Sequence, residues 1–221
     1  MDAVFFHDGK WLDQKPMLIG PMNHAFWMSS VVFDGARAMG GLVPDVEEHC
    51  ARLITSAENM LLVPNMEAGE IAELCLDGVR KLSKDGVYYI RPMYYAREGF
   101  LLPEPDSTDF VLAIYDAPLP PEGPFKVCMS SRRRPARDMA PTTAKASCLY
   151  PNTALALTDA AKRGFDSAVV LDPNGNVAEF LSANLWIVKD GVAFTPAING
   201  TFLNGVTRQR TIELLRADGI E

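Results

Sequence analysis

The side chains best placed for chemistry are a lysine, a carboxylate and a polar turn. Lys145 sits in Met-Ala-Pro-Thr-Thr-Ala-Lys-Ala-Ser, residues 139–147, where small and almost uncharged neighbours precede an apolar stretch. Partial desolvation in such a setting favours the neutral, nucleophilic amine that Schiff-base chemistry needs; the plain alternative is a solvated surface lysine. Glu179 interrupts an apolar and small run, residues 177–186. A carboxylate there requires a cation or a hydrogen-bond donor; a protonated pyridine nitrogen would supply it, and the plainer alternative is a structural salt bridge. Asn204-Gly205-Val206-Thr207-Arg208 leads straight into an apolar-periodic segment, so its backbone N–H groups and the Thr207 hydroxyl either converge on an anion or simply cap a helix. Arg52, among apolar neighbours, is either a snorkelling arginine or a second ligand for that anion.

Other features carry less. Arg132-Arg133-Arg134 reads as a solvated loop, Asp172-Pro173-Asn174-Gly175 as a turn between strands, and Asn199-Gly200-Thr201 as a glycosylation pattern without consequence in a cytoplasmic protein. His7, His24 and His49 form no ligand pair, and no metal site is expected.

The elements that must position these residues follow from periodicity. A turn at His7-Asp8-Gly9 joins short strands at 4–6 and 10–12. Helices are expected from Pro44-Asp45 through residue 61, over 67–82 with Gly78 weakening it, over 152–163 and over 206–217. Strands are expected at 87–95, 110–115, 125–130, 168–171 and 185–188. Between the second and third of these, residues 117–124 hold four prolines and mark a boundary between domains at 1–116 and 125–221. The apolar loop 99–103 either tucks against its own core or reaches into a partner subunit.

With 221 residues, 48% of them hydrophobic, the chain belongs to the globular class. Its net charge of -7 excludes a general nucleic-acid binder, which needs a cationic surface. Cys50, Cys75, Cys128 and Cys148 lie far apart and read as free thiols of a reducing compartment. The first 13 residues have no basic start or long apolar run, and no stretch approaches transmembrane length, so a cytoplasmic protein is expected.

Taken together the motifs resemble the class IV aminotransferases, which use pyridoxal 5'-phosphate. Residues 139–145 followed by Tyr150 resemble the family's cofactor-lysine segment, Gly175-Asn176-Val177-Ala178-Glu179 with Asn184 its G-x-V-x-E-x-x-x-x-N element, and residues 203–208 its phosphate turn, L-x-G-[IV]-T-R. The resemblance implies a mixed α/β, two-domain fold with a small N-terminal and a larger cofactor-binding domain. It also implies that Lys145 carries the cofactor and moves the substrate α-proton, that Glu179 keeps the pyridine nitrogen protonated and that Asn184 lies at the cofactor. Tyr150 would bond the phenolic oxygen, and Arg52, Val206 and Thr207 would hold the phosphate.

Within the family, Tyr89-Ile90-Arg91-Pro92 and Phe33-Asp34-Gly35-Ala36-Arg37 resemble the Y-I-R-P and F-E-G-x-R segments of the branched-chain type. Phe33, Tyr89 and Arg91 would then face the substrate. Met28 stands where the family's H-x-x-x-Y-G segment places a substrate-side tyrosine. Family members also continue past the helix that holds Thr211 to Leu215, so the large domain is expected to be incomplete here. The leading expectation is amino transfer between a branched-chain L-amino acid and 2-oxoglutarate, both small molecules, by a homodimer. A D-amino-acid or amine transaminase, an aminodeoxychorismate-type lyase and an inactive cofactor-binding fragment are the alternatives.

Overall fold

The computed structural model describes residues 2–120 and 123–220. The chain divides into two compact units, Met1–Pro121 with Ala144–Cys148, and Glu122–Thr143 with Leu149–Glu221. Of the proline-rich stretch 117–124, residues 121 and 122 lie outside the described residues. The lysine segment groups with the first unit, although it is far along the chain.

The first unit contains β1 (Ala3–His7), β2 (Lys10–Leu12), α1 (His24–Met28), β3 (Val31–Phe33), β4 (Ala36–Met39), α2 (Val46–Glu58), α3 (Ala68–Arg80), β5 (Val87–Ala96) and β6 (Thr108–Asp116). The strands form an antiparallel sheet in the order β2-β1-β6-β5-β3, with β4 also paired to β5. Along β5 the pleat sends Tyr88, Ile90 and Tyr94 into the core that α2 and α3 close with Leu53, Ala57, Ile71 and Cys75, and leaves Tyr89, Arg91 and Met93 on the other face. Leu112 and Ile114 of β6 join that core. Gly78 is there for space: a Cβ on it would lie 2.4 Å from Ile114 Cδ1 and 2.6 Å from Trp11 Cη2. Close approach of α3 to the sheet outweighs the helix propensity lost.

The second unit contains β7 (Val127–Arg133), α4 (Tyr150–Lys162), β8 (Ser167–Leu171), β9 (Val177–Phe180), β10 (Ile187–Lys189), β11 (Val192–Phe194) and α5 (Val206–Ala217). β7 and β8 are parallel, β8 and β9 antiparallel, and β10 and β11 form a separate hairpin. Ala156 and Ala160 of α4 pack on Ala168 and Val170 of β8.

Most expected elements are present within a few residues of their expected ends. The first expected helix stops at Glu58 rather than residue 61, because Leu61 is left-handed with φ 61 and 61% exposed. The helix expected at 152 begins at Tyr150. β9 is the strand that the 172–175 turn implies, whereas α1, β3, β4 and β11 were not anticipated; with three to five residues each they are too short for a periodicity to register.

Candidate active site

In the first unit the lysine segment is tied to β3 and α2. Phe33 N–H donates to Lys145 O at 3.1 Å, Lys145 N–H donates to Ser56 Oγ at 3.0 Å, and Val32 bridges Ala146 antiparallel. Ala144 and Ala146 are both fully buried while Lys145 between them is only partly so, and its Nζ lies 4.9 Å from the centre of the Phe33 ring. Ser56 is a positioning residue missed in the sequence: a helical serine gives no sign of the distant backbone that it will receive.

Arg52 lies one turn before Ser56 on α2 and is engaged by Asp34, the residue after Phe33. Its Nε donates to Asp34 Oδ2 at 2.7 Å and its Nη2 to Oδ1 at 2.8 Å, and His49 Nδ1 lies 2.6 Å from Oδ1. Burial would raise the Asp34 pKa, but hydrogen bonds and charge from Arg52 and His49 prevail and hold it at about 2, below its usual 3.8. A depressed carboxylate contributes stability in full above its unfolded pKa and loses it as pH falls through the folded one. Here the window runs from about pH 4 down to about pH 2 and the contribution is about 2 kcal/mol. Asp34→Asn should therefore flatten the fall in stability between about pH 5 and pH 2.5, as followed by urea unfolding. An unchanged slope would show that the pairing does not persist in solution.

Tyr89 and Arg91 share a face of β5. The Tyr89 hydroxyl lies over Gly35, where a Cβ would come within 1.9 Å of it. The Arg91 guanidinium lies 5.2 Å from the Tyr89 ring and 5.1 Å from the Tyr115 ring and donates to the Tyr115 hydroxyl, while its buried Nε has no hydrogen-bond partner among the described residues. Met28 ends α1 at 37% exposure. Loop 99–103 is exposed on this unit, with Phe100 at 75%, Leu101 at 68% and Leu102 at 67%, and Phe100 stacks near Trp27 at 5.7 Å.

In the second unit Glu179 is 9% exposed on β9. Arg134 Nε lies 3.4 Å from its Oε1 and also donates to Thr201 O at 3.1 Å. Arg134 therefore does not belong to a solvated loop: its side chain is only 13% exposed, because a buried carboxylate draws in a counter-charge. Asn184 donates to Leu203 O at 3.1 Å and reaches Glu179 Oε2 at 3.5 Å, joining the carboxylate to the turn before α5. Gly205 in that turn leaves no room for a side chain, since a Cβ would stand 2.1 Å from Asn184 Oδ1. Arg208 is a structural clamp, donating to Thr195 Oγ1, Asn204 Oδ1 and Pro196 O at 3.2, 2.8 and 3.1 Å. Val206 is buried, Thr207 is exposed in the first turn of α5, and Tyr150 is the first residue of α4. The 172–175 turn is as expected, closed by Gly175 N–H donating to Asp172 O.

A mixed α/β fold carrying these motifs defines a cofactor-dependent amino-group transferase, and comparison with known proteins agrees. The family described as Amino-transferase class IV matches residues 31–221. A probable branched-chain-amino-acid aminotransferase of Aquifex aeolicus is 32% identical over 99% of this chain and 73% of its own length. The branched-chain-amino-acid aminotransferase of Escherichia coli K12 is 33% identical over 100% of this chain and 74% of its own length. Among solved structures, an aminotransferase from Brucella abortus bound to pyridoxal phosphate superposes with TM-score 0.97 at 42% identity, covering 100% of this chain and 80% of that one.

The chain belongs to the class IV aminotransferases and is a pyridoxal-phosphate-dependent enzyme. The residues present suit that cofactor in kind. A dianionic phosphate calls for a guanidinium or for helix N–H groups; the first unit offers the half-buried Arg52 on α2, and the second offers the N-terminal turn of α5. A ring nitrogen calls for a shielded carboxylate such as Glu179. No described helix is long and apolar enough to cross a membrane.

Proposed function

We propose that the enzyme transfers the amino group between a branched-chain L-amino acid and 2-oxoglutarate. The observation that carries this reading is 31–33% identity to proteins described as branched-chain-amino-acid aminotransferases, extending over nearly the whole chain. The placement of Tyr89 and Arg91 on one face of β5 supports it. Product assays with leucine, D-alanine and a chiral aryl amine as donors test it. Leucine with 2-oxoglutarate should be turned over fastest; preference for D-alanine or the amine would refute the assignment, and Met28 is the residue to exchange in that event.

Bound pyridoxal phosphate supplies an electron sink for charge that develops at the substrate α-carbon. On this reading Lys145 holds the cofactor and moves the α-proton, Glu179 keeps a proton on the pyridine nitrogen with Asn184 fixing it, and Tyr150 bonds the phenolic oxygen. Arg52, Val206 and Thr207 hold the phosphate, while Phe33, Tyr89, Arg91 and Met28 bound the substrate. We read residues 117–124 as the link between a small and a large domain. The exposed Phe100, Leu101 and Leu102 support a homodimer, since so apolar a loop is costly to leave in water. The four widely spaced cysteines, read as free thiols, support the cytoplasm.

Glu179→Gln should keep the cofactor bound but slow α-proton abstraction by about a hundredfold or more, because a neutral amide cannot hold the pyridinium charge. Single-turnover rates with α-deuterated leucine measure that step. Wild-type rates in the variant would remove Glu179 from the role.

A further inference from the structure

Asp34 is fully buried, yet its two carboxylate oxygens receive four contacts within hydrogen-bond distance, from Arg52 Nε, Arg52 Nη2, His49 Nδ1 and the Gly35 N–H. An ionised carboxylate only accepts, so His49 donates from Nδ1. Removing one partner of a buried pair is costly, whereas the intact pair adds little over apolar side chains of the same size. Its geometry is therefore the informative feature. Asp34 takes the Nε–Nη2 edge of Arg52, and Nη1 has no part in the pair. The same two elements anchor the lysine backbone: Phe33 beside Asp34 donates to Lys145 O, and Ser56, one turn beyond Arg52, receives Lys145 N–H.

We propose that Asp34 is a positioning residue for the cofactor phosphate, holding Arg52 by one edge so that Nη1 is presented to the anion, with His49 as the strut that keeps Asp34 in place. The inference rests on Arg52 as a phosphate ligand. A loose arginine must lose the freedom of a long side chain when it binds; a clamped one has already lost it. Asp34 also cancels the charge of Arg52, so that the pair serves as an oriented donor rather than a net cation. Orientation and charge thus make opposite predictions. If Asp34 only offsets charge, its neutralisation tightens phosphate binding. If it orients Arg52, neutralisation weakens it.

The test compares dissociation constants of pyridoxal phosphate and of phosphate-free pyridoxal for the wild type, Asp34→Asn, Asp34→Glu and the neutral double variant Asp34→Asn/Arg52→Gln. Asp34→Asn should weaken pyridoxal phosphate by about ten- to a hundredfold and leave pyridoxal unchanged. Asp34→Glu should recover most of the loss, because the longer carboxylate can grip the same guanidinium edge. Unchanged or tighter pyridoxal phosphate binding by Asp34→Asn overturns the proposal, as does an equal loss for both ligands, which would mark Asp34 as structural. Wild-type binding by the double variant overturns the Arg52 assignment itself, whereas loss in the double variant alone spares Arg52 and rejects Asp34. A wild-type measurement stands even where a variant fails to fold: on titrating inorganic phosphate into apoprotein, the Arg52 Nε–H nitrogen-15 resonance should stay in place while Nη signals move. A shifted Nε–H would mean the Asp34 clamp opens, against the proposal.

Discussion

Lys145→Ala is expected to lower kcat/KM by more than about a thousandfold, because covalent attachment of the cofactor and transfer of the α-proton both depend on its amine. The backbone at this position is fixed independently of the side chain, by hydrogen bonds with Ser56 and Phe33 and by the buried Ala144 and Ala146 on either side. Alanine should therefore remove the amine without moving the segment, and the melting temperature should change by only about a degree or two, as for a substitution with little effect on stability. Cofactor should still bind, held by its phosphate, but borohydride should no longer fix it to the protein. In the wild type, peptide mapping after reduction should find the label on Lys145. A label on another lysine, or a rate within about tenfold of wild type, would contradict the assignment of the amine.

Arg91→Met should cost the glutamate half-reaction about 2–4 kcal/mol in kcat/KM and the leucine half-reaction much less. A branched aliphatic side chain has no use for a guanidinium, whereas the second carboxylate of glutamate must be paired once it leaves water. The surroundings of Arg91 sharpen this expectation: it lies over the Tyr89 and Tyr115 rings, donates to the Tyr115 hydroxyl and has a buried Nε with no partner among the described residues. An unmet buried donor costs about 1–3 kcal/mol, and methionine packs well against aromatic rings. The variant should accordingly be no less stable than wild type. Equal losses with leucine and glutamate, together with a lowered melting temperature, would show that Arg91 holds the sheet and does not read the substrate.

The sequence by itself determined the longer helices and strands and the family motifs, because each rests on local pattern, and the class of fold followed from the family resemblance. The β5 alternation that puts Tyr89 and Arg91 on one face follows from the pleat alone, and the lysine, glutamate and L-x-G-V-T-R motifs are contiguous enough to read. What the tertiary structure decided are the partnerships between residues far apart in the chain. Asp34 and Arg52 are 18 positions apart, Lys145 and Ser56 are 89 apart, and neither spacing repeats with any period. Arg134 looked like one of three solvated arginines until the fold brought it to the Glu179 carboxylate. Gly78 read as a weak point in its helix and proved to be the gap through which Trp11 and Ile114 approach. In each case the cause is the same: burying a charge or closing a gap is a demand set by whichever neighbour the folded chain delivers, and local sequence does not encode that neighbour.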